Sequence, residues 1–251
     1  MKIEYRDLTL KYPKAIRDDK IRIVLDWLLE FRFSSVELLS KRLGSNKINL
    51  NRFFNQLIDE GVIQQFKNVN TKNERYIMLT SIGVSYLEAY GRDISRAVTR
   101  VQLLGKYAQI LHDISVQYAV LERLELYDEV IADRNIALDA FNDRPDALLH
   151  SIKGYYIALE FERWRKSTNR IFYSFHNHAQ SIIHKRYSAV VFLFDGETDR
   201  AYYEKLFVQN EWECYRKNKK NLKFERTGMK FKPDDYIGLR QCFKFLTEKN
   251  N

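Results

Sequence analysis

Apolar residues recur every three or four positions through the first sixty residues, a spacing that predicts amphipathic helices. Shorter stretches behind them alternate between apolar and polar residues, which predicts strands. The expected elements are helices over residues 18–31, 34–43 and 49–60 and strands over residues 61–66 and 75–79. Ser34 and Glu37 have capping-box spacing at the start of the second helix. Three short helices followed by a β-hairpin are the order of a winged helix-turn-helix.

The third predicted helix has an apolar face and an opposite face of amide and guanidinium side chains. In a winged helix this helix lies in the major groove, where Asn and Gln read adenine and Arg reads guanine. The candidate DNA-binding residues are Asn51, Arg52, Asn55 and Gln56 on that face, with Lys47, Lys67, Lys72 and Arg75 as phosphate contacts. Winged helices also serve as protein–protein modules, so the sequence leaves both uses open.

A longer amphipathic stretch predicts one helix over residues 101–126, after a connection at residues 91–100. Its apolar stripe runs through Leu104, Tyr107, Leu111, Ile114, Tyr118 and Leu121. The stripe suits either the seam of a homodimer or packing on the helix's own domain. We therefore predict two domains, residues 1–92 and residues 101–251, with a basic tail at the end of the second.

Carboxylates stand at the ends of two apolar runs in the middle of the chain. Asp146 leads into the first run, and the second, after a turn at Lys153-Gly154, ends in Glu160 and Glu162. In a β-hairpin Glu160 and Glu162 share one face and lie beside Asp146. Three converging carboxylates repel one another unless a cation neutralises them, which predicts a site for Mg²⁺ or Mn²⁺. The alternative is that these charged strand ends only reach water.

The elements expected around this hairpin complete a second domain. They are a strand near residues 136–138, a helix over residues 166–186, a strand over residues 189–194 and a helix over residues 198–208. With the helix at 101–126 they give the order αβββαβ in an α+β or α/β domain. Lys166 is expected one helical turn beyond the strand, where it would stabilise charge on a bound phosphate.

The distribution of charge favours a nucleic-acid partner. The formal net charge is +9, and the balance is +6 over residues 1–100, −2 over residues 101–200 and +5 over residues 201–251. Basic ends around an acidic middle suit a protein that holds phosphates with its flanks and a cation with its centre. Cys214 and Cys242 lack disulfide or metal-finger spacing. No apolar run suits a membrane span or a signal peptide, so we expect a cytoplasmic protein without membrane insertion.

Pro145-Asp146, followed after a hairpin by Glu160-Phe161-Glu162, resembles the signature of the restriction-endonuclease-like fold, PD-(D/E)xK. Glu162 stands where that signature usually has Lys, a departure that some members of the fold tolerate. The resemblance implies an αβββαβ nuclease domain after the winged helix.

A second resemblance covers most of the chain, from about residue 18 to about residue 208. His112-Asp113 with Val116-Gln117, the RPDALL run and the E-x-E-x-x-x-K run are together similar to the replication–relaxation family of plasmid proteins. Within that family they resemble the MobC-type relaxases. These motifs are short, and their order and spacing carry the resemblance.

The resemblance implies a metal-dependent endonuclease that nicks double-stranded plasmid DNA at an origin of transfer and so starts mobilisation in conjugation. Asp146 and Glu160 would hold Mg²⁺ or Mn²⁺, with Glu162 as a third ligand or a general base. Lys166 would stabilise charge on the phosphate. The implied partners are a companion mobilisation protein and a coupling ATPase. The alternative is a non-enzymatic winged-helix regulator of plasmid replication or transfer, whose second domain only dimerises.

His176 and His178, with Tyr173 before them, resemble the histidines and tyrosine of most plasmid relaxases only superficially. Those histidines need strand geometry, whereas this segment is predicted to be helical. We therefore do not expect a catalytic histidine site of that kind.

Overall fold

The computed structural model of the chain describes residues 1–67, 74–137, 144–218 and 220–248. The fold is mixed α+β, and its contacts divide into two compact units, Met1–Glu129 (unit 1) and Val130–Asn251 (unit 2). Within the described ranges, no helix combines the length and the apolar content that crossing a membrane requires.

Unit 1 combines helices with a three-stranded sheet. Its elements are α1 (Pro13–Phe31), β1 (Phe33–Ser35), α2 (Val36–Arg42), α3 (Lys47–Asp59), β2 (Ile63–Lys67), β3 (Arg75–Leu79), α4 (Ser81–Ala89) and α5 (Tyr107–Leu121). Strand β3 lies between β1 and β2 and pairs antiparallel with both. The helices and the hairpin predicted for this half are present, with shifted ends.

The start of α2 differs by one residue from the prediction. Ser35 is the N-cap, because its hydroxyl accepts the backbone N–H of Leu38 at 3.1 Å. Ser34 belongs to β1 instead. Gly44 follows the helix with a φ of 65°, a left-handed conformation that glycine adopts without strain. The short strand β1 thus takes the residue that was predicted to be the cap.

Helix α5 is shorter than the predicted helix and belongs to unit 1. Single 3-10 turns, Val101–Leu103 and Leu124–Leu126, occupy the two ends of the predicted range. Helix α5 packs against α2 and β1. The sequence placed this helix in the second domain, whereas the contacts place the division after Glu129.

Gln117 shows how α5 is held in unit 1. Its side-chain carbonyl accepts the indole N–H of Trp27 at 2.9 Å, and its amide donates to the Phe33 carbonyl at 2.9 Å. Asp113, one turn earlier, accepts a hydrogen bond of 2.6 Å from Arg32. Gln117 and Trp27 are fully buried. Asp113 and Gln117, two residues of the sequence motif at positions 112–117, therefore hold α5 against the rest of unit 1.

Unit 2 is built around a five-stranded sheet. The elements of this half are β4 (Tyr127–Ala132), β5 (Ala147–Ser151), β6 (Tyr156–Glu162), α6 (Thr168–Ile183), β7 (Ala189–Phe194), α7 (Glu197–Phe207), β8 (Trp212–Lys217), β9 (Phe224–Phe231) and β10 (Phe243–Thr247). The strand order is β10-β7-β6-β5-β4, and β8 and β9 form a separate antiparallel pair.

The register of the sheet decides which side chains meet. Strands β5 and β6 form the predicted antiparallel hairpin, in which Ala147 pairs with Leu159. Gly154 in its turn has a φ of 85°, which glycine accommodates easily. Strands β6 and β7 run parallel, with Glu160 opposite Phe192. The start of β5 and the ends of β6 and β7 therefore lie at one edge of the sheet.

Two sequence expectations for this half are wrong. The strand expected near residues 136–138 lies earlier, as β4, because a 3-10 turn at Asp133–Asn135 ends it; position 138 is outside the described residues. The expected basic tail is folded. Strands β8 and β9 pack on α6, and β10 pairs with β7. Trp212 and Phe231 are buried in this packing, which is why the segment folds.

Candidate active site

The hairpin brings Asp146 to the end of β6. Asp146 directly precedes β5, and its Oδ2 accepts the backbone N–H of Phe161 at 2.7 Å. Because Ala147 pairs with Leu159, this contact extends the pairing by one residue towards Glu160. The side chain of Asp146 thus continues the ladder at the edge where β6 ends.

Glu160 and Glu162 are buried, at 7% and 1% exposure. The Lys166 ammonium lies 3.8 Å from Glu160 Oε2 and 2.6 Å from Glu162 Oε1. Both carboxylates therefore lie on one face of β6, as the strand alternation predicts. The alternative that these strand ends only reach water is wrong.

Lys166 supplies the positive charge among these carboxylates. It lies in the connection between β6 and α6 rather than in a helix, because α6 begins only at Thr168. Burial lowers the pKa of Lys166, but the charges of Glu162, Glu160 and Asp146 raise it above its ordinary value of 10.5. The Lys166 side chain is therefore protonated at neutral pH and interacts electrostatically with three carboxylates.

Tyr203 on α7 is fully buried and lies near Glu162 and Glu160. Burial raises the pKa of Tyr203 strongly, and the neighbouring Glu162 carboxylate raises it further. Within the described part of the chain, neither Glu162 Oε2 nor the Tyr203 hydroxyl has a hydrogen-bond partner. A buried carboxylate oxygen without a partner is costly, so Glu162 has unused capacity for a cation or a donor.

His178 is a member of the cluster that the sequence analysis missed. Its Nε2 lies 3.2 Å from Glu160 Oε1, and its Nδ1 lies 2.6 Å from the Tyr187 hydroxyl. The segment is helical, as predicted. Ile171 and Phe175 lie seven and three residues before His178, so the histidine falls on the buried face of α6. A histidine on an apolar face needs a buried partner, and this signal was available in the sequence.

The oxygen donors of this site are of the type that divalent cations prefer, although the side chains do not form a complete set of metal ligands. Among the described residues, no group of three or more His, Cys, Asp or Glu side chains is placed to hold a metal ion. Mg²⁺ is usually held by one or two carboxylates and keeps water or phosphate oxygens as its other ligands. Asp146 and Glu160 supply hard oxygen donors, and Glu162 Oε2 is an orphaned acceptor.

Comparisons with protein-family models, with curated proteins and with solved structures find no match to this chain.

The connection after β6 presents cationic and aromatic side chains at the same edge. Trp164 is 56% exposed, with the Arg163 guanidinium 5.2 Å from the ring centroid. Arg165 pairs with Asp199 at 2.8 Å. Asp195, which follows β7, lies 4.0 Å from Arg163, and burial raises the pKa of Asp195. The rim of the carboxylate cluster thus combines guanidinium groups with an exposed indole ring.

The polar face predicted for the third helix is present on α3 in unit 1. Leu50, Phe54 and Leu57 are buried on one side of the helix. Asn51, Arg52, Asn55 and Gln56 are exposed on the other side, together with Ile48 and Asp59.

The side chains predicted to contact phosphates belong to residues in α3, β2 and β3 and in the segment between the two strands. Arg75 on β3 donates a hydrogen bond of 2.7 Å to Asn55 Oδ1. Lys67 ends β2 and is exposed, and Lys47 is the first residue of α3. Lys72 lies outside the described residues.

Proposed function

We propose that this chain is a metal-dependent DNA endonuclease that nicks one strand of plasmid DNA at an origin of transfer, as a MobC-type relaxase would. The observation that carries the proposal is the cluster of Asp146, Glu160 and Glu162 around Lys166 at one sheet edge. Buried carboxylates are costly, and catalytic sites are a common reason for keeping them.

The order of elements supports the same proposal. Strands β4, β5 and β6 are followed by α6 and β7, which is the βββαβ part of the order expected of a restriction-endonuclease-like domain, whereas the preceding helix, α5, packs in unit 1. Asp146 follows Pro145 before β5, and Glu160 and Glu162 end β6, which are the positions of the nuclease signature. Glu162 replaces the usual Lys, and we propose that the Lys166 ammonium, 2.6 Å from Glu162, takes over its role.

Unit 1 supplies a means of locating DNA. The order α1-β1-α2-α3-β2-β3 is the one expected of a winged helix-turn-helix, and the exposed face of α3 carries Asn, Gln and Arg side chains together with Ile48 and Asp59. We propose that this face reads the major groove while Arg75 and the lysines contact phosphates. A companion mobilisation protein and a coupling ATPase are part of the same proposal.

Each residue of the cluster has a proposed role. Asp146 and Glu160 would hold Mg²⁺ or Mn²⁺, with Glu162 as a third ligand or general base. The metal ion, when bound, would polarise the scissile phosphate and make a nucleophile from water. Lys166 would place positive charge beside the phosphate oxygens. Arg163 and Trp164 would orient the strand at the rim.

Plasmid nicking tests the proposal directly. The substrate is a supercoiled plasmid that carries the DNA flanking the protein's own coding region, incubated with Mn²⁺ or Mg²⁺. Wild type should convert it to open circles, and Asp146→Asn and Glu160→Gln should each lose at least about a hundredfold of the rate. Asp235→Asn, an exposed carboxylate of the same unit, is the control and should nick normally.

Binding measurements on the same preparations separate catalysis from folding. Asp146→Asn and Glu160→Gln should retain DNA affinity within a few-fold, because the reading helix lies in unit 1. Nicking at the wild-type rate by both variants, or nicking by wild type in the presence of EDTA, would contradict the proposal.

A non-enzymatic DNA-binding regulator is the second candidate. The observation in its favour is that Lys166 already neutralises Glu162 at 2.6 Å, so the cluster is stable without a metal ion. If the chain is a regulator, it should bind DNA, and Asp146→Asn should bind Mn²⁺ no more weakly than wild type does. Isothermal calorimetry measures the Mn²⁺ binding.

A further inference from the structure

A chain of three buried side chains leads away from Glu160. The Tyr187 hydroxyl lies 2.6 Å from His178 Nδ1, and His178 Nε2 lies 3.2 Å from Glu160 Oε1. His178 is 5% exposed and Tyr187 is 4% exposed. The Phe192 ring meets the imidazole edge-on, with centroids 5.3 Å apart. The imidazole is thus fixed by contacts on three sides.

The chemistry of these groups sets the direction of each hydrogen bond. A carboxylate only accepts, so His178 Nε2 carries a proton when it contacts Glu160. In a neutral imidazole Nδ1 is then an acceptor and takes the hydroxyl proton of Tyr187. Tyr187 therefore selects the tautomer in which His178 donates to Glu160.

We infer that His178 is a positioning residue, which with Tyr187 holds Glu160 Oε1 and leaves Oε2 directed towards Lys166 and an incoming cation. Glu160 Oε2 lies 3.8 Å from Lys166 Nζ, whereas His178 Nε2 lies 3.2 Å from the other oxygen, Oε1. Partners of this kind fix the orientation of metal-binding carboxylates and strengthen their metal affinity. The role in catalysis rests on the proposed nicking function, whereas the hydrogen-bond chain does not.

The tautomer is tested first, in the full chain without metal. Long-range ¹⁵N–¹H spectra of ¹⁵N-histidine-labelled protein should show His178 with its proton on Nε2. Tyr187→Phe should change the His178 nitrogen shifts towards a tautomer mixture, and Glu160→Gln should shift the Nε2 proton upfield. His178 with its proton on Nδ1, or a His178 signal indifferent to both substitutions, overturns the inference.

The consequence for the carboxylate is tested with Mn²⁺ alone, by calorimetry. His178→Leu should weaken Mn²⁺ binding by about ten- to a hundredfold. His178→Gln, whose amide nitrogen can replace Nε2 as the donor, should restore most of the affinity. His184→Gln is the control, because His184 is an exposed histidine at the end of α6. Thermal melts establish that each variant is folded.

The outcomes separate this inference from the proposed function. Normal Mn²⁺ binding by His178→Leu, or equal losses in folded His178→Leu and His178→Gln, overturns the positioning role. Wild type that binds no Mn²⁺ overturns the proposed function instead. The spectra then decide the inference by themselves, since the tautomer and its response to Glu160→Gln need no metal.

Discussion

Lys166 donates a hydrogen bond of 2.6 Å to Glu162, four residues earlier in the chain and 1% exposed. The ammonium also lies 3.8 Å from Glu160. Burial opposes charge on Lys166, yet three carboxylates raise its pKa above the ordinary value. The Lys166 ammonium therefore neutralises part of the negative charge of the cluster. Removing it should lower the stability of unit 2.

Lys166→Met should destabilise the protein by about 3 kcal/mol, because it leaves buried carboxylates without their cation. Equilibrium unfolding in urea measures the change. Adding Glu162→Gln to Lys166→Met should recover at least about 1 kcal/mol, since the pair is coupled. Strictly additive effects in this double-mutant cycle would contradict the pairing. Lys153→Met, at an exposed position in the β5–β6 turn, is the control and should change stability little.

Gln117→Met should cost about 2 kcal/mol of unfolding free energy, because the Trp27 indole and the Phe33 carbonyl both lose a buried partner. Methionine keeps the volume of glutamine, so the loss reports the hydrogen bonds. Gln102→Met, at an exposed position, provides the matched control and should be near neutral. Equal urea midpoints for the two variants would mean that Gln117 does not hold α5.

Much of the fold follows from local patterns that the sequence displays. The spacing of Ile21, Val24 and Leu28 predicts α1, and all three are buried. The Lys153-Gly154 turn and its flanking runs predict the β5–β6 hairpin, which fixes Asp146 beside the end of β6. These features are local, so period and turn chemistry suffice to predict them.

The parts that were mispredicted depend on contacts between distant residues. The place of α5 depends on Gln117 and Asp113 meeting Trp27 and Arg32, about eighty to ninety positions away. The fold of the C-terminal segment depends on burial of Trp212 against α6. Spacing along the chain gives neither contact.

The candidate site divides in the same way. The spacing of the sequence motifs predicted the three carboxylates and Lys166 as members of the site. His178 and Tyr187 come to Glu160 only because α6 crosses between two parallel strands. An alternating pattern in a strand predicts a shared face, whereas the partner from another element depends on the packing.

Arg52→Ala should lower affinity for the specific DNA site by about ten- to a hundredfold, the cost of a base-reading side chain. Lys67→Ala should weaken binding to all sequences equally and flatten the salt dependence. Selection from a random duplex library supplies the site, and fluorescence anisotropy at several salt concentrations measures both variants. Normal binding by Arg52→Ala and Gln56→Ala would remove α3 as the reading helix.

His176 should make stability depend on pH below neutrality. Burial lowers the pKa of His176 from its ordinary value of 6.5, so the unfolded chain binds the proton more readily than the folded one. This stability is fully present above pH 6.5 and is lost as pH falls towards the folded pKa. His176→Gln should reduce the slope of unfolding free energy with pH between 5 and 7, compared with wild type. Equal slopes would contradict this assignment.

The nucleophile of the proposed nicking reaction is expected to be water, because the tyrosines near the cluster are poorly placed to attack DNA. Tyr203 is fully buried, and Tyr173 is 7% exposed and packs on Phe224 with ring centroids 4.9 Å apart. Tyr156 begins β6, four residues and roughly 13 Å from Glu160 along the strand. Nicked plasmid should therefore carry no bound protein after denaturing electrophoresis, and rejoining should need a ligase.

Tyr202 is the tyrosine that provides the sharpest check on this prediction. Its hydroxyl pairs with Thr168 at 2.9 Å, and the Arg165 guanidinium lies 4.6 Å from its ring, beside the connection that carries Lys166. Tyr202→Phe and Tyr173→Phe should both nick at the wild-type rate, because neither hydroxyl takes part in an attack by water. A covalent adduct that disappears in either variant would establish a tyrosyl intermediate, and that tyrosine would then have to leave its present packing to reach the phosphate.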